Sequence, residues 1–421
     1  MRFTDAVRFI RNEETNKSKP GLDRVNYCLG LLKHPEASQR IIHVVGTNGK
    51  GSTATMITNI LVAAGYHVGT MISPALHGVT DYYRIDGKPI TTAQFVNSVE
   101  TLKSALRPME MSSPETKKDL DPTEFERAVC VGLILFKMEN CDFTVLEAGM
   151  GGLNDATNVG QGCLTVVTKI ALDHMQYLGN TLEEICREKL GIASSGEPIV
   201  MGVNSTIVTN AATRWCKENR HELHLASIAD DSFFPNERAM IAEYQKSNIS
   251  TAQKALEILS TMNFDGTTLN IDDFAMEAGI RSANLPYRFD VRKRDPYLIF
   301  DGGHNPDCID ALCRSLRSFS GDMKYYVVTG VLADKDYPAM YEMLQQYALG
   351  FVCITPPNNR ALPAKDLSEA LSRFEKPVEV AETMVEAVER IKELRKKGYP
   401  VLVTGSLYIM PAIVAAWNKT R

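Results

Sequence analysis

The chain has 421 residues, 44% hydrophobic and 23% charged, with 46 Lys and Arg against 51 Asp and Glu. These proportions sit near the globular average, which excludes disordered, collagen-like and coiled-coil chains, and the length calls for about two or three domains. A formal net charge of −5 lacks the broad positive field that nucleic acid needs.

At the start, Met1-Arg-Phe-Thr-Asp-Ala-Val-Arg-Phe-Ile-Arg11 intersperses charge among apolar residues, predicting a short amphipathic helix and not a signal peptide. Residues 41–45, 68–72, 143–146, 164–168 and 198–202 are apolar, β-branched runs separated by helical patterns, which predicts a parallel α/β sheet. Residues 103–122, with Met-Ser-Ser-Pro and clustered charges, read as a solvated loop. The longest apolar stretch, 129–136, lies between Arg127 and Lys137 and falls far short of the roughly 20 residues that span a bilayer, so no membrane partner is expected. Nine cysteines, odd in number and without a Cys-x-x-Cys pair, read as reduced thiols and place the protein in the cytoplasm.

The first strand runs into Gly46-Thr47-Asn48-Gly49-Lys50-Gly51-Ser52-Thr53 and then a helix extending to Gly65. Glycines let backbone N–H groups converge on phosphate oxygens, the helix N-terminus adds partial positive charge, and Lys50 supplies a full one. Ser52 is placed to reach a magnesium ion. The loop is one residue shorter than the general Gly-x-x-x-x-Gly-Lys-Ser/Thr pattern.

Further candidates lie just past the carboxyl ends of strands, where an open α/β sheet places its ligands. They are Ser73 before Pro74, Glu147 before Ala-Gly-Met-Gly-Gly-Leu-Asn154-Asp155-Ala156-Thr-Asn158, and His174 after Asp173. A hydroxyl, a carboxylate and an imidazole form a plausible shell for magnesium ions that also hold nucleotide phosphates. Beyond them Thr181 and Glu184 have capping-box spacing and Gly191 offers a C-terminal stop, so Lys189 falls in the last turn of a short helix, where a surface lysine would also be at home.

A second series of strand-like runs covers 297–300, 324–329, 351–355 and 400–404, with an amphipathic helix at 384–397. The polar, basic, proline-bracketed stretch 285–296 lies between the two series. We place the boundary there, giving a phosphate-loop domain at 1–285 and a C-terminal domain at 286–421. Asp301-Gly-Gly-His304-Asn-Pro306 is readable as a strand-to-helix turn with Asn305 as cap and Pro306 at the first helical position. His221-Glu-Leu-His224 lacks zincin spacing and reads as a surface pair.

In order along the chain, Gly46–Ser52, Glu147-Ala-Gly-Met-Gly-Gly152 with Asp155-Ala-Thr-Asn158, Asp173-His174, Glu188-Lys-Leu-Gly-Ile192 and Asp301–Pro306 resemble the folylpolyglutamate synthase and dihydrofolate synthase family, relatives of the Mur ligases. Gln245-x-x-Asn248, Pro286-Tyr-Arg288, Asp334-Lys-Asp336 and Thr404-Gly-Ser406 extend the likeness over nearly the whole chain. The resemblance implies an ATP-dependent ligase with an N-terminal P-loop domain and a smaller C-terminal Rossmann-like α/β domain, the active site lying in the cleft between them. It implies a triphosphate on Thr47–Ser52, nucleotide contacts from Asn248, Arg288 and Asp301, and magnesium on Ser52, Ser73, Glu147 and His174. Lys189 matches a lysine often carbamylated, which would make it an anionic oxygen ligand. Lys50, Lys189, His174 and His304 become the catalytic candidates, with His304 and Ser406 near an incoming L-glutamate. Thr123 and Phe125 resemble part of a pterin pocket, although Phe125 also fits the apolar face of the following helix by spacing. Asn154, Asp155 and Ala156 fall in a segment the family uses close to its acceptor. A monomer is implied.

The chain departs from the family pattern where His and Glu-Arg-Ile are usual and Ala75 and Asp81-Tyr82-Tyr83 stand, and where Leu153 replaces an arginine. Leucine cannot replace that planar charged fork. The reaction expected is transfer of the ATP γ-phosphoryl group to a folate-type carboxylate, then displacement of phosphate by the glutamate amine. A Mur-type ligase acting on another carboxylate, a P-loop phosphotransferase or NTPase, and a non-catalytic nucleotide-binding protein are the alternatives.

Overall fold

The computed structural model describes residues 1–11, 21–110, 112–113, 116, 119–228, 242–284 and 286–420. These divide into two compact units. One is formed by the described residues within Met1–Phe233 and Ser247–Ala283, the other by those within Phe234–Lys246 and Asn284–Arg421. Leu285, at the predicted boundary, lies outside the described residues, as do Met111, Pro114, Glu115, Lys117 and Lys118 of the predicted loop.

The first unit holds β1 (Ile41–Val45), β2 (Val68–Met71), β3 (Tyr83–Ile85), β4 (Lys88–Pro89), β5 (Phe143–Glu147), β6 (Gly162–Val167), β7 (Ile199–Met201) and β8 (Leu223–Leu225). Among the described residues these form one sheet in the order β4-β3-β2-β5-β1-β6-β7-β8, parallel from β2 to β8 and antiparallel at the β3 and β4 edge. β1 is fully buried and lies between β5 and β6. That is a topological switch, because its neighbours follow it by about a hundred residues, and ligands settle beyond the strand ends there. Its apolar runs are buried on both faces, as a doubly covered parallel sheet requires. A small hairpin, β9 (Asn263–Phe264) with β10 (Thr267–Thr268), completes this unit.

The second unit holds β11 (Asp290–Arg294), β12 (Tyr297–Phe300), β13 (Tyr325–Thr329), β14 (Ala348–Ile354), β15 (Val378–Ala381) and β16 (Val401–Thr404), ordered β11-β12-β16-β13-β14-β15 with only β11 antiparallel. This is the smaller Rossmann-like layer. The segment read as a linker is corrected in part: 290–294 is an edge strand, charged at four of five positions and burying only Val291. Such an edge carries charge because unpaired strand edges must resist pairing. The predicted loop at 103–122 is also corrected. Residues up to Ala105 continue the Thr92–Ala105 helix, and Arg107–Glu110 form a further helical turn.

One buried polar cluster in the first sheet is pH-sensitive. His43 on β1 is opposite Thr165 on β6, and a Cβ on Gly162 would overlap Glu197 Oε2 and stand 2.8 Å from His43 Nδ1. Neither His43 ring nitrogen nor Glu197 Oε2 has a hydrogen-bond partner among the described residues, while Thr165 Oγ1 donates to Glu197 Oε1. Burial drives the imidazole down to about 4 and the Glu197 carboxyl up to about 7 from 4.5. A protonated carboxyl gains a donor for the imidazole. At Glu197 the folded state holds an extra proton between 4.5 and about 7, so this group makes stability fall as pH rises through that window, while His43, lowered from 6.5 to about 4, contributes the opposite slope between those values. Glu197→Gln is therefore expected to stabilise the protein at pH 8 by up to about 3 kcal/mol and by far less at pH 5, read from urea midpoints. An equal shift at both pH values would contradict this.

Candidate active site

Gly46 closes β1 at φ 154°, and a Cβ there would overlap Thr168 Oγ1 at the end of β6. Gly49, at φ 88°, caps the Lys50–Ala63 helix, and a Cβ there would overlap Asn248 Oδ1, so the predicted nucleotide residue packs on the loop. The loop is pinned by Lys169 O, which accepts from Thr47 N (2.7 Å) and Asn48 N (3.2 Å). Thr168 Oγ1 donates to Asn48 O at 2.8 Å, and Thr47 Oγ1 is tied to Ala171 N and O. The Thr47 hydroxyl and amide thus brace the turn. The next amides, on Lys50 and Gly51, belong to the helix's first turn, where no intrahelical acceptor exists and anions bind. Lys50 Nζ donates to Gly46 O (3.1 Å) and Thr47 O (3.3 Å), holding its charge over the turn.

Glu147 is the last residue of β5 and is 4% exposed. A Cβ on Gly51 would lie 3.4 Å from its Oε2, so glycine at 51 leaves room for the carboxylate beside the loop. Ser73 N donates to that same Oε2 at 2.8 Å, bringing the end of β2 to the same place. Ser52 is buried in the first turn of the loop's helix. His174, at φ 51°, begins a short Met175–Leu178 helix and donates its amide to Asp173 Oδ1 at 2.9 Å. Hydroxyl and carboxylate oxygens beside a phosphate loop suit magnesium, which takes one or two carboxylates and completes its shell from phosphates and water. Among the described residues no cluster of three or more His, Cys, Asp or Glu side chains is placed to hold a metal; the predicted set contains two residues of those types.

Lys189 is not on the surface. It is 3% exposed in the Leu182–Leu190 helix, and its Nζ donates to Gly46 O at 2.8 Å, joining it to the loop. Burial, then repulsion from Lys50, lowers its ammonium to about 7, against opposing pulls from Asp155, Asp173 and Glu188. The capping box of Thr181 and Glu184 forms as predicted. Gly191 has φ −61° and is no left-handed stop; a Cβ there would meet Leu153 at 2.7 Å, so close packing is its reason.

The loop after Glu147 is clasped by Asp155, whose Oδ2 accepts from Met150 N (2.7 Å) and Oδ1 from Thr157 N (3.0 Å). Leu153 and Asn154 are exposed and Ala156 is buried. Thr123 is the N-cap of the Glu124–Met138 helix in a reciprocal capping box with Glu126. Phe125, half-buried, lies between them, and a Cβ on Gly149 would stand 2.8 Å from its ring. Phe125 packs against the first unit's core, as its helix spacing expected, and also lies against Gly149 in the loop after Glu147.

In the second unit, Asp301 follows β12 and is buried. Its Oδ2 accepts from Tyr244 OH (2.7 Å) and Phe289 N (2.9 Å), and its Oδ1 from Gly303 N (2.8 Å). Burial raises its carboxyl despite Tyr244 and Arg288 pulling the other way. Arg288 lies near it, with Nη1 3.3 Å from where a Cβ on Gly302 would be. His304 Nδ1 is 3.0 Å from Gly302 O; a carbonyl only accepts, so Nδ1 carries the proton and Nε2 is the basic nitrogen of the neutral ring. Asn305 and Pro306 cap the Pro306–Ser320 helix as the turn reading expected. Gly405 N donates to Gly303 O at 3.0 Å, so the Ser406 and His304 segments adjoin. His221 and His224 have separate partners, Glu197 O and Glu222.

Comparison with known proteins fits this geometry. Residues 44–272 match the Mur ligase middle domain and 287–407 the Mur ligase glutamate ligase domain. Over 98% of both chains, this one is 32% identical to the dihydrofolate synthase/folylpolyglutamate synthase of Bacillus subtilis. The chain belongs to the folylpolyglutamate synthase/dihydrofolate synthase family of Mur ligases. A folylpolyglutamate synthase from Lacticaseibacillus casei is 29% identical over 98% of each chain. The solved E. coli FolC complex with DHPP and ADP aligns over 100% of this chain and 99% of its own, with 27% identity and a TM-score of 0.84. Within this ligase the sequence reading missed the brace at Lys169, the Tyr244 hydroxyl on Asp301, and Arg24, which forms a buried bidentate pair with Glu126 at 2.9 and 2.7 Å. Tyr244 adjoins the Gln245 motif, a signal within reach. Arg24 had none, because its partner is 102 residues away.

Proposed function

We propose that the protein is an ATP-dependent amide ligase that joins L-glutamate to a folate-type carboxylate, as folylpolyglutamate synthase and also as dihydrofolate synthase. The observation that carries this reading is the juxtaposition of Lys50, Lys189 and Glu147 around one phosphate loop. Lys50 and Lys189 share the Gly46 carbonyl, and Glu147 stands against Gly51.

The chemistry follows from a carboxylate being a poor electrophile. A carboxylate oxygen attacks the γ-phosphorus, the bond to the β-phosphate bridging oxygen breaks, and ADP leaves with that electron pair. The glutamate amine then attacks the acyl carbon, forms the C–N bond and expels phosphate after losing a proton. Lys50, on exchanging its carbonyl partners for phosphoryl oxygens, offsets the charge that builds there. His304 Nε2 is the atom suited to take the amine proton. Asn248, Arg288 and Asp301 serve the nucleotide, with Asp301 acting through its hold on Phe289 and Gly303. Thr123, Phe125, Asn154, Asp155 and Ala156 shape the acceptor side, and Ser406 the glutamate side. Ser52, Ser73, Glu147 and His174 would hold magnesium, which supplies charge neutralisation on the phosphoryl oxygens when bound. An amine lowered to about 7 keeps a neutral fraction near physiological pH, the form that captures carbon dioxide, so carbamylated Lys189 belongs to the same proposal.

All nine cysteines are unpaired, and among the described residues no helix is long and apolar enough to cross a membrane. Unpaired thiols fit a reducing compartment, and in this reading the protein acts in the cytoplasm as a monomer. The test is incubation with ATP, L-glutamate and either dihydropteroate or tetrahydrofolate, reading phosphate and product mass. Acceptor-dependent phosphate with one glutamate added per turnover is expected. Phosphate release that needs no acceptor would overturn the reading in favour of an NTPase, and coupling to another acid alone would point to a paralogue.

A further inference from the structure

We propose that Tyr82 is a specificity-determining residue of the acceptor site, forming with Phe125 an aromatic wall for the flat heterocycle of the acceptor. This rests on the folate-type reading above and assigns a role to a residue outside the family pattern.

Three contacts place Tyr82. Its carbonyl accepts from Ile72 N at 2.9 Å, immediately before Ser73, whose own amide is fixed on Glu147. Its ring meets the Phe125 ring edge-on, with centroids 6.3 Å apart and planes at 62°. Phe125 in turn covers Gly149, two residues beyond Glu147. The two rings therefore lie against the segments that leave β5 and β2, at Gly149, two residues past Glu147, and at Ile72, one before Ser73, all within the first unit.

The direction of Tyr82 follows from its neighbour. Tyr83 is fully buried, its hydroxyl donates to Ala128 O at 2.9 Å, and it pairs with Met71 across the β2–β3 ladder. Tyr83 anchors this turn to the Glu124–Met138 helix, and Tyr82, only half-buried, lies alongside the first turn of that helix at Phe125. Tyr82 also touches the Tyr83 ring, at 6.0 Å between centroids, so it is braced from below. An edge-to-face pair held this way presents ring area at little entropic cost, which suits a planar π-system. A guanidinium at position 82 would favour an anionic group instead. With tyrosine at 82, this wall is aromatic where the family pattern has an arginine.

Tyr82→Ala is expected to raise KM for tetrahydrofolate about tenfold, with KM for ATP and kcat changed less than threefold. Tyr82→Phe should retain wild-type values, because the ring and not the hydroxyl carries the contact. The deciding comparison uses p-aminobenzoylglutamate, which lacks the pterin ring, as acceptor or competitive inhibitor. Its constants should be equal for wild type and Tyr82→Ala. An equal loss for both acceptors, or no loss for either, would overturn the role of Tyr82. Failure of the wild type to couple glutamate to any pterin would instead overturn the functional reading itself. Tyr82→Leu, which keeps apolar bulk, guards against misfolding of the alanine variant and should also weaken tetrahydrofolate selectively.

Discussion

Lys50→Ala is expected to lower kcat/KM about a thousandfold, measured as acceptor-dependent phosphate release. The ammonium is held at 3.1 and 3.3 Å from the Gly46 and Thr47 carbonyls, so it is already organised over the turn before nucleotide arrives. Nothing else in the loop's first turn carries a full positive charge; its amides supply only partial ones. Folding should be unaffected, because the lost bonds go to carbonyls at a loop rather than to a buried core. The variant should keep its wild-type denaturation midpoint while losing turnover. Turnover within tenfold of wild type would refute the assignment of Lys50 to the phosphates.

Glu126→Ala should have the largest effect on stability, about 3–5 kcal/mol, read from urea denaturation. Arg24 and Glu126 are 8% and 3% exposed and joined by two hydrogen bonds. Removing the carboxylate takes both of these charge-assisted bonds from a buried guanidinium. It also breaks the capping box, in which Thr123 N donates to Glu126 Oε2 at 2.7 Å. Replacing both partners with apolar side chains, Arg24→Met with Glu126→Leu, should cost less than Glu126→Ala alone, because neither half of the pair is then left buried without the other. Phe125 lies between the two capping residues, so KM for the acceptor should rise in Glu126→Ala as well. A midpoint equal to wild type would show that the pair is not sealed from water.

The legible parts of the fold were those where burial leaves a pattern. Residues 41–45 and 297–300 were read to the residue because central parallel strands are apolar on both faces. Edge strands escaped. Asp290–Arg294 looks like a polar linker because one side of its ladder faces solvent, and Leu223–Leu225 looked like a histidine pair. The Tyr83–Ile85 and Lys88–Pro89 hairpin carried its signal in Asp86-Gly87, with positive φ at both residues, but its strands are too short to show alternation.

The candidate site was legible in its glycines and its lysines, though not in what braces them. The proximity of Lys189 to Gly46 joins residues 143 apart, which no local pattern encodes. Asp155 and Asp301 show the converse limit. Each stands where an open sheet binds ligands, yet each also uses both carboxylate oxygens to hold neighbouring amides, a task a motif does not distinguish from ligand binding.

The most direct measurement follows oxygen. With an acceptor whose reacting carboxylate is labelled with oxygen-18, phosphoryl transfer to that carboxylate leaves one labelled oxygen in each phosphate released, detectable by mass spectrometry of the phosphate. The account predicts one label per turnover, with ATP and glutamate both required for net product. Unlabelled phosphate accompanying amide formation would contradict it, since the acceptor would then have been activated by some other route.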